Sequence, residues 1–170
     1  MVTAQEQVPS LTFLSSLPMK VRIVVDCYPG KGPLGGVYTG LKVADTFYSL
    51  VVACDMPFLN LGLLGYLVRL APGFDLIVPK LGGMLEPLHA VYSKDCLKVM
   101  EKPLREGYLQ IAKVIPLVKT RYVLDEEVDK FDPKHISFFN INTEADLQRA
   151  KALIIERNKA DDNAVNKVGR

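Results

Sequence analysis

The stretch VVACDMPFL, residues 51–59, places an apolar strand directly before a carboxylate and a proline. Its first four residues, 51–54, are typical of a strand that is buried on both faces of a sheet. Asp55 ends the apolar run, and Pro57 prevents the strand from continuing. Because an unpaired carboxylate is costly to remove from water, Asp55 needs a partner. Spacing alone leaves two partners open: the N–H groups of a following helix or turn, or a Mg²⁺ ion carrying substrate phosphates.

Strand and helix patterns alternate along the chain on both sides of this stretch. Strands are predicted at 20–26, 47–55, 75–80, 86–93, 119–127 and 137–142. Helices are predicted at 37–45, 61–70, 93–104 and 108–118, with a further helix after residue 143. The strands 75–80 and 86–93 flank LGGML and are expected to pair as a hairpin. Such alternation predicts an α/β domain with a mostly parallel sheet.

Four residues are expected to begin or interrupt these helices. Asn60 can cap the helix 61–70, and Ser93 can cap the next one. Pro103 is expected to interrupt that second helix. Thr143 and Asp146 have the spacing of a capping box. We therefore predict one domain over residues 1–158, followed by a frayed polar tail at 159–170.

Composition excludes several classes of protein. The chain has 170 residues, a net charge of +2 and scattered basic residues, so no nucleic-acid partner is expected. No apolar stretch reaches the roughly 20 residues of a membrane span. The three cysteines form no CxxC pair, so neither a disulfide framework nor a thiolate metal site is indicated. The N-terminal residues do not have the pattern of a secretion signal, and a cytoplasmic location is predicted.

The loop GKGPLGGVYTGL, residues 30–41, is the second candidate for chemistry. Glycines between a strand and a helix let the backbone approach a ligand, and the helix N-terminus offers free N–H groups. The loop does not have the GK[ST] ending of a Walker A motif. A tight strand-to-helix turn explains the same residues equally well.

The segment FFNINT, residues 138–143, is the third candidate. In a strand, Asn140 and Asn142 would point to the same face, where two amides could bind a polar heterocycle. Turn chemistry before a capped helix is the alternative. His89 and His135 are far apart and are interpreted as structural or exposed residues. Glu86 is interpreted as a solvated residue at a strand edge.

Taken together and in this order, the motifs resemble the molybdenum cofactor guanylyltransferases, in the molybdopterin nucleotidyltransferase group. The resemblance rests on VVDCYPGKGPLGGVYTGL, VVACDMPFL, GGMLEPLHAVYS and FFNINTEADL, and it covers roughly residues 21 to 150. It implies a Rossmann-like, three-layer nucleotidyltransferase domain. It also implies an enzyme that transfers GMP from GTP to the phosphate of molybdopterin, releasing pyrophosphate, with Mg²⁺ bridging the phosphates.

The resemblance also implies roles for individual residues. Asp55 would be the catalytic residue that binds the metal and the nucleotide. Asp26 would contact the nucleotide ahead of the glycine loop. Gly32 and Gly36 match the family's loop glycines, and Asn140 and Asn142 match the asparagines that face molybdopterin. The implied partners are GTP, molybdopterin and molybdoenzyme chaperones.

One departure from the family pattern affects these expectations. Family members begin with a strand and a loop of the form LAGGxSxRMGxxK, which holds the nucleotide phosphates, and the sequence MVTAQEQVPS has nothing of this kind. We therefore expect an N-terminally truncated domain that lacks about one βαβ unit and exposes a strand edge. A non-catalytic relative that binds the cofactor or a partner protein remains the alternative, as does a transferase that uses CTP. A sugar-nucleotide glycosyltransferase is disfavoured because a DxD motif is absent.

Overall fold

The computed structural model describes residues 1–107 and 110–168, with the backbone alone for 157–168. The strands are β1 (Val2–Thr3), β2 (Val24–Val25), β3 (Tyr48–Val52), β4 (Leu76–Leu81), β5 (Met84–Leu85), β6 (His89–Ser93) and β7 (Thr120–Leu124). The α-helices are α1 (Gly32–Val43), α2 (Leu61–Leu70), α3 (Cys96–Arg105), α4 (Asp125–Val128) and α5 (Glu144–Val168). Shorter 3₁₀ segments cover Gln5–Ser16, Ile111–Lys113, Ile115–Leu117 and Ile136–Phe138.

Five strands form the main sheet, and β4 lies at its centre. β6 pairs with both β3 and β4 in antiparallel fashion, β5 continues β4 as a hairpin, and β7 pairs with β4 in parallel. β3, β4 and β7 therefore run in one direction, and β5 and β6 run in the other. The predicted hairpin between 75–80 and 86–93 is confirmed. β1 and β2 form a separate parallel pair.

Helices cover both faces of this sheet, which gives three layers. On one face, Leu34 and Leu41 of α1 and Met100 of α3 pack against Val78 and Tyr92. On the other face, side chains of α2 and α4 pack against alternate residues of the same strands; the buried members are Leu63, Leu67, Ala71, Ile77, Leu81, Val91, Val123 and Val128. The strands contribute to both clusters because successive side chains point to opposite faces. The predicted α/β class with a Rossmann-like layered sheet is confirmed.

The expectation that residues 51–54 are buried on both faces is wrong. β3 pairs with β6 on one side, and within the described chain no strand pairs with its other side. Within these residues, Val52 is 38% exposed and Cys54 is also exposed. The apolar run belongs to an edge strand, and only Val51 packs against the α1–α3 side of the core.

Two predicted helix starts are also corrected. α1 begins at Gly32, five residues earlier than predicted, because proline is well accommodated in the first turn of a helix and Pro33 lies there. Ser93 is the last residue of β6 and caps no helix, since α3 begins after Asp95. α3 also continues past Pro103 to Arg105, because one buried stripe containing Met100 and Leu104 holds it against the sheet.

Two further segments differ from the expected elements. Residues 110–118 form short 3₁₀ turns instead of a helix, and the first two residues of that predicted helix lie outside the described part. Residues 137–142 form no strand. The carboxylate of Asp132 accepts hydrogen bonds from the N–H groups of Ile136 (3.1 Å) and Ser137 (2.7 Å), which turns the chain there.

Two helix caps agree with prediction. The side chain of Asn60 accepts a hydrogen bond of 3.0 Å from Leu63 N–H at the start of α2. Thr143 and Asp146 bond reciprocally at the start of α5, as a capping box requires. The backbone of α5 is helical as far as Val168 and so includes residues 159–168 of the predicted tail. Among the described residues, no helix is long and apolar enough to cross a membrane.

Candidate functional site

A pocket of about 160 Å³ opens where β3 ends and α1 begins. Three polar residues from distant parts of the chain line it: Asp55, Glu86 and Asn140. The remaining lining is apolar and consists of Pro33, Ala53, Met56, Pro87, Leu88 and Ile111. None of these lining residues is Lys or Arg. The pocket therefore combines two carboxylates and an amide with apolar walls and no cation.

Asp55 lines the pocket, with a backbone that is held by a hydrogen bond and a side chain that, among the described residues, is not. Its carbonyl oxygen accepts a hydrogen bond of 2.9 Å from Ile141 N–H, which ties the end of β3 to the asparagine segment. Its Oδ1 atom is buried and, within the described chain, has no hydrogen-bond partner. Because Asn60 caps α2, Asp55 does not act as the helix cap. Of the two kinds of partner that the sequence leaves open for Asp55, its geometry therefore favours a bound ligand over a helix cap.

The two asparagines of the NINT segment have different surroundings. Asn140 lines the pocket, and its buried Oδ1 atom also lacks a partner among the described residues. Asn142 does not line the pocket, and its backbone N–H donates to Asp146 at the start of α5. The expected common face does not exist because no strand forms here. Asn140 alone joins Asp55.

Asp26 lies outside the pocket and is engaged within its own loop. Its Oδ1 accepts hydrogen bonds from Tyr28 N–H (2.9 Å) and from the hydroxyl of Thr39 (2.8 Å), which is almost completely buried. These contacts tie the loop after β2 to the middle of α1. They leave Oδ2 as the atom available for a nucleotide, so that predicted role remains a prediction.

The glycines of this loop are not equivalent. Gly32 has a φ of +57° at the first position of α1, a conformation that favours glycine. Gly36 lies inside α1, where an added Cβ would meet no atom within 4 Å. At Gly35 the same Cβ would lie 2.9 Å from the carbonyl oxygen of Tyr28 and 3.0 Å from Oδ2 of Asp26. The close approach that the sequence pattern suggested therefore occurs at Gly35.

Glu86 is the residue of the pocket that sequence reasoning missed. The sequence pattern indicates a solvated edge residue, but Glu86 lies in the loop between β5 and β6 and is only partly exposed. Burial raises the pKa of its carboxyl group above the usual range. In the sequence, Glu86 is followed directly by Pro87 and Leu88, which line the pocket beside it. A carboxylate next to two apolar residues is the signal that could have indicated its partial burial.

The two histidines take no part in the pocket lining. His89 in β6 is completely buried, its ring lies 4.5 Å from that of Phe138, and burial lowers its pKa to about 4. His135 lies next to Asp129, with 2.7 Å between Nε2 and Oδ1. Both positions agree with the structural interpretation.

The oxygen atoms in the pocket suit a hard cation. Carboxylate and amide oxygens are ligands that Mg²⁺ accepts, and it commonly binds one or two carboxylates and completes its shell with water and phosphate oxygens. The unpartnered Oδ1 atoms of Asp55 and Asn140 fit that use. Among the described residues, no group of three or more His, Cys, Asp or Glu side chains forms a closed metal cage.

A strand-end carboxylate beside a glycine loop, on a layered α/β sheet, is the arrangement expected of a nucleotidyltransferase. The chain belongs to the family described as the MobA-like NTP transferase domain, whose model matches residues 1–115. It is therefore a member of a nucleotidyltransferase family.

Relatives of known name agree with this family. The chain is 38% identical, over 82% of its length, to the "Probable molybdenum cofactor guanylyltransferase" of Pelotomaculum thermopropionicum. It is 33% identical, over 84% of its length, to the molybdenum cofactor guanylyltransferase of Desulfosudis oleivorans. These matches cover 68% and 71% of the two relatives, and a third, from Clostridium perfringens, is covered over 63%. The chain thus spans about two thirds of the length of these relatives.

A solved structure shares the fold. The chain superposes on the molybdopterin-guanine dinucleotide biosynthesis protein A of Archaeoglobus fulgidus with a TM-score of 0.76 and 30% sequence identity. The match covers 91% of this chain and 77% of the other.

Proposed function

We propose that the pocket at the end of β3 serves the transfer of GMP from GTP to molybdopterin, with release of pyrophosphate. The observation that carries this proposal is the convergence of Asp55 and Asn140, each with a buried and unpartnered oxygen atom, in one pocket beside the start of α1. The names of the relatives at 33% and 38% identity support the same reaction. CTP is the competing nucleotide, and the experiment below separates the two.

Asp55 and Asn140 are the residues that would hold Mg²⁺ in this proposal. When bound, Mg²⁺ neutralises charge that builds up on the phosphates during nucleotidyl transfer. Such an ion is needed for a second reason, because two carboxylates and no basic side chain line the described pocket. Anionic phosphates entering this pocket would otherwise meet net negative charge.

The chain's own residues position the reactants. The hydrogen bond from Ile141 N–H to the carbonyl oxygen of Asp55 fixes the distance between the metal-binding and asparagine segments. No side chain caps the start of α1, where Pro33 lines the pocket, so this first turn has free N–H groups. They can donate to phosphate oxygens. Apolar residues such as Leu88 and Ile111 exclude water from the same space, which strengthens these interactions.

The test is direct formation of the dinucleotide cofactor. The chain is incubated with molybdopterin, Mg²⁺ and either GTP or CTP, and the products are identified by mass spectrometry together with released pyrophosphate. Product from GTP supports the proposal. Product from CTP alone contradicts the guanine assignment, and no product from either nucleotide contradicts the activity when the Desulfosudis oleivorans relative is active in the same assay.

The Asp55→Asn variant tests the assigned residue. We expect transfer to fall at least roughly a hundredfold, because a charged ligand at the reacting phosphates is replaced by a neutral one. The urea midpoint should stay the same or rise, because the buried Oδ1 atom of Asp55 has no hydrogen-bond partner within the described chain and the substitution removes its unsatisfied charge. Full transfer by this variant would remove Asp55 from the proposed mechanism.

A further inference from the structure

Glu86 has a fixed backbone and a carboxylate that the fold itself does not use. Its N–H donates to the carbonyl oxygen of Pro79, at 2.9 Å, and its own carbonyl oxygen accepts from His89 N–H at 3.0 Å. Both bonds attach the loop to the ends of β4 and β6. These bonds fix the backbone of Glu86, and its side chain lines the pocket.

The surroundings of this carboxylate contain no partner for its charge. Desolvation is the cause of its raised pKa, and no basic group of the described chain offsets it. Partly burying a carboxylate without a hydrogen-bond donor costs free energy. A ligand that donates hydrogen bonds to this carboxylate would offset that cost.

The residues that line the pocket next to Glu86 are apolar. Pro87 and Leu88 follow it in the chain, and Pro33 and Ile111 line the same pocket from α1 and from a 3₁₀ turn. Proline and branched aliphatic side chains offer surface to the face of a planar ring. The volume of about 160 Å³ is smaller than a whole nucleotide needs, so the pocket takes only part of a substrate.

We propose that Glu86 binds the 2-amino and ring N–H edge of a 2-aminopyrimidin-4-one ring, with its two carboxylate oxygens accepting two parallel hydrogen bonds. This inference rests on the proposed function, because both of its substrates carry that edge: the guanine of GTP and the pterin of molybdopterin. A carboxylate is an acceptor only, so it matches two adjacent donors. Such charge-assisted bidentate pairs are stronger than neutral ones.

Removal of the 2-amino group from the ligand is the sharpest probe. Equilibrium titrations in Mg²⁺ buffer compare GTP with ITP, which lacks that amino group, and pterin with lumazine, which carries an oxygen in its place. The proteins are the unmodified chain, Glu86→Gln and the matched control Glu126→Gln, whose side chain is exposed on α4. The isosteric glutamine replaces one acceptor with a donor, so it opposes the second donor of the ring.

For one of the two ligand pairs, we expect the unmodified chain to prefer the 2-amino ring by roughly tenfold, the range of a good bidentate pair. Glu86→Gln should abolish that preference, and Glu126→Gln should retain it. The pair that responds identifies the source of the ring, guanine or pterin. This preference is the ratio of two affinities measured on the same protein sample. A variant that is only partly folded would therefore lose affinity for both ligands without changing the ratio.

Two results would overturn this inference. The first is that, for both ligand pairs, the ratio of the two affinities is the same in Glu86→Gln as in the unmodified chain. The second is an equal fall in affinity for GTP and ITP that excess Mg²⁺ reverses, which would make Glu86 a metal ligand instead. Neither result depends on turnover. A chain that binds the ring through Glu86 but forms no dinucleotide would contradict the proposed function and leave this inference standing.

Discussion

The buried histidine of β6 gives a quantitative prediction for stability against pH. His89 is completely buried, and neither of its ring nitrogens has a partner among the described residues. Its pKa is lowered from 6.5 to about 4 by burial, against a smaller opposing effect of Asp132. The folded protein therefore resists protonation at pH values at which the unfolded chain accepts a proton. Stability should be lost as pH falls from above 6.5 toward 4.

The size of the loss follows from the two pKa values. Each pKa unit corresponds to about 1.4 kcal/mol, so a pKa of 6.5 in the unfolded chain and about 4 in the folded one gives about 3 kcal/mol in total. Between pH 7.5 and pH 5 the linkage relation gives a loss of about 2 kcal/mol from His89 alone. Above pH 7.5 the histidine is neutral in both states and contributes no pH dependence.

Urea unfolding at pH 7.5 and pH 5, followed by circular dichroism, measures this loss. Other groups also titrate in this range, so the quantity to compare is the pH-dependent loss of the unmodified chain minus that of the His89→Leu variant. We expect this difference to be about 2 kcal/mol. The control is His135→Gln, which keeps His89 and should keep the full loss. An equal loss in His89→Leu would refute the reasoning.

Two substitution pairs test the loop before α1 and the start of α2 by urea unfolding. Gly35→Ala should lower the free energy of unfolding by about 1–3 kcal/mol, since its Cβ would lie 2.9 Å from a backbone carbonyl oxygen. Gly36→Ala should raise it by about 0.5–1 kcal/mol, as expected for alanine in an open helical position, and equal effects at the two glycines would contradict the close approach. Asn60→Ala should cost about 1–2 kcal/mol, because it removes the cap of α2 and a 2.9 Å bond to Phe131. Asn142→Ala should cost little, and a similar cost at both asparagines would show that the cap is not the cause.

Local rules predicted the parts of this fold that depend on local chemistry. The cap at Asn60 and the box at Thr143 were predictable because each needs only residues within one helical turn. The antiparallel pairing of the strands predicted at 75–80 and 86–93 was predictable because LGGML between them contains two glycines, both with positive φ in the structure. The α/β class followed from alternation, which the pairing of β4 with β7 satisfies.

Errors arose where distant residues decide the structure. The burial of residues 51–54 depends on which strands pair with β3, and composition cannot distinguish an apolar edge strand from a central one. The segment 137–142 has the composition of a strand, but the carboxylate of Asp132 takes the N–H groups that begin it. Glu86 was missed for the same reason, because its apolar neighbours Pro33 and Ile111 come from other parts of the chain.

Asp26 and Asp55 appear equivalent in the sequence, since each follows a short apolar strand, but the structure separates them. The carboxylate of Asp26 accepts hydrogen bonds from Tyr28 N–H and from the hydroxyl of Thr39. These bonds hold the loop, so the fold itself has a use for this side chain. Asp55 is fixed through its backbone carbonyl oxygen instead, and its Oδ1 atom is buried without a partner in the described chain. A fold that needed Asp55 only for stability would use its side chain as it uses that of Asp26. The cost of leaving this carboxylate unsatisfied is therefore best explained by a ligand, and the oxygen of Asn140 in the same pocket indicates where that ligand binds.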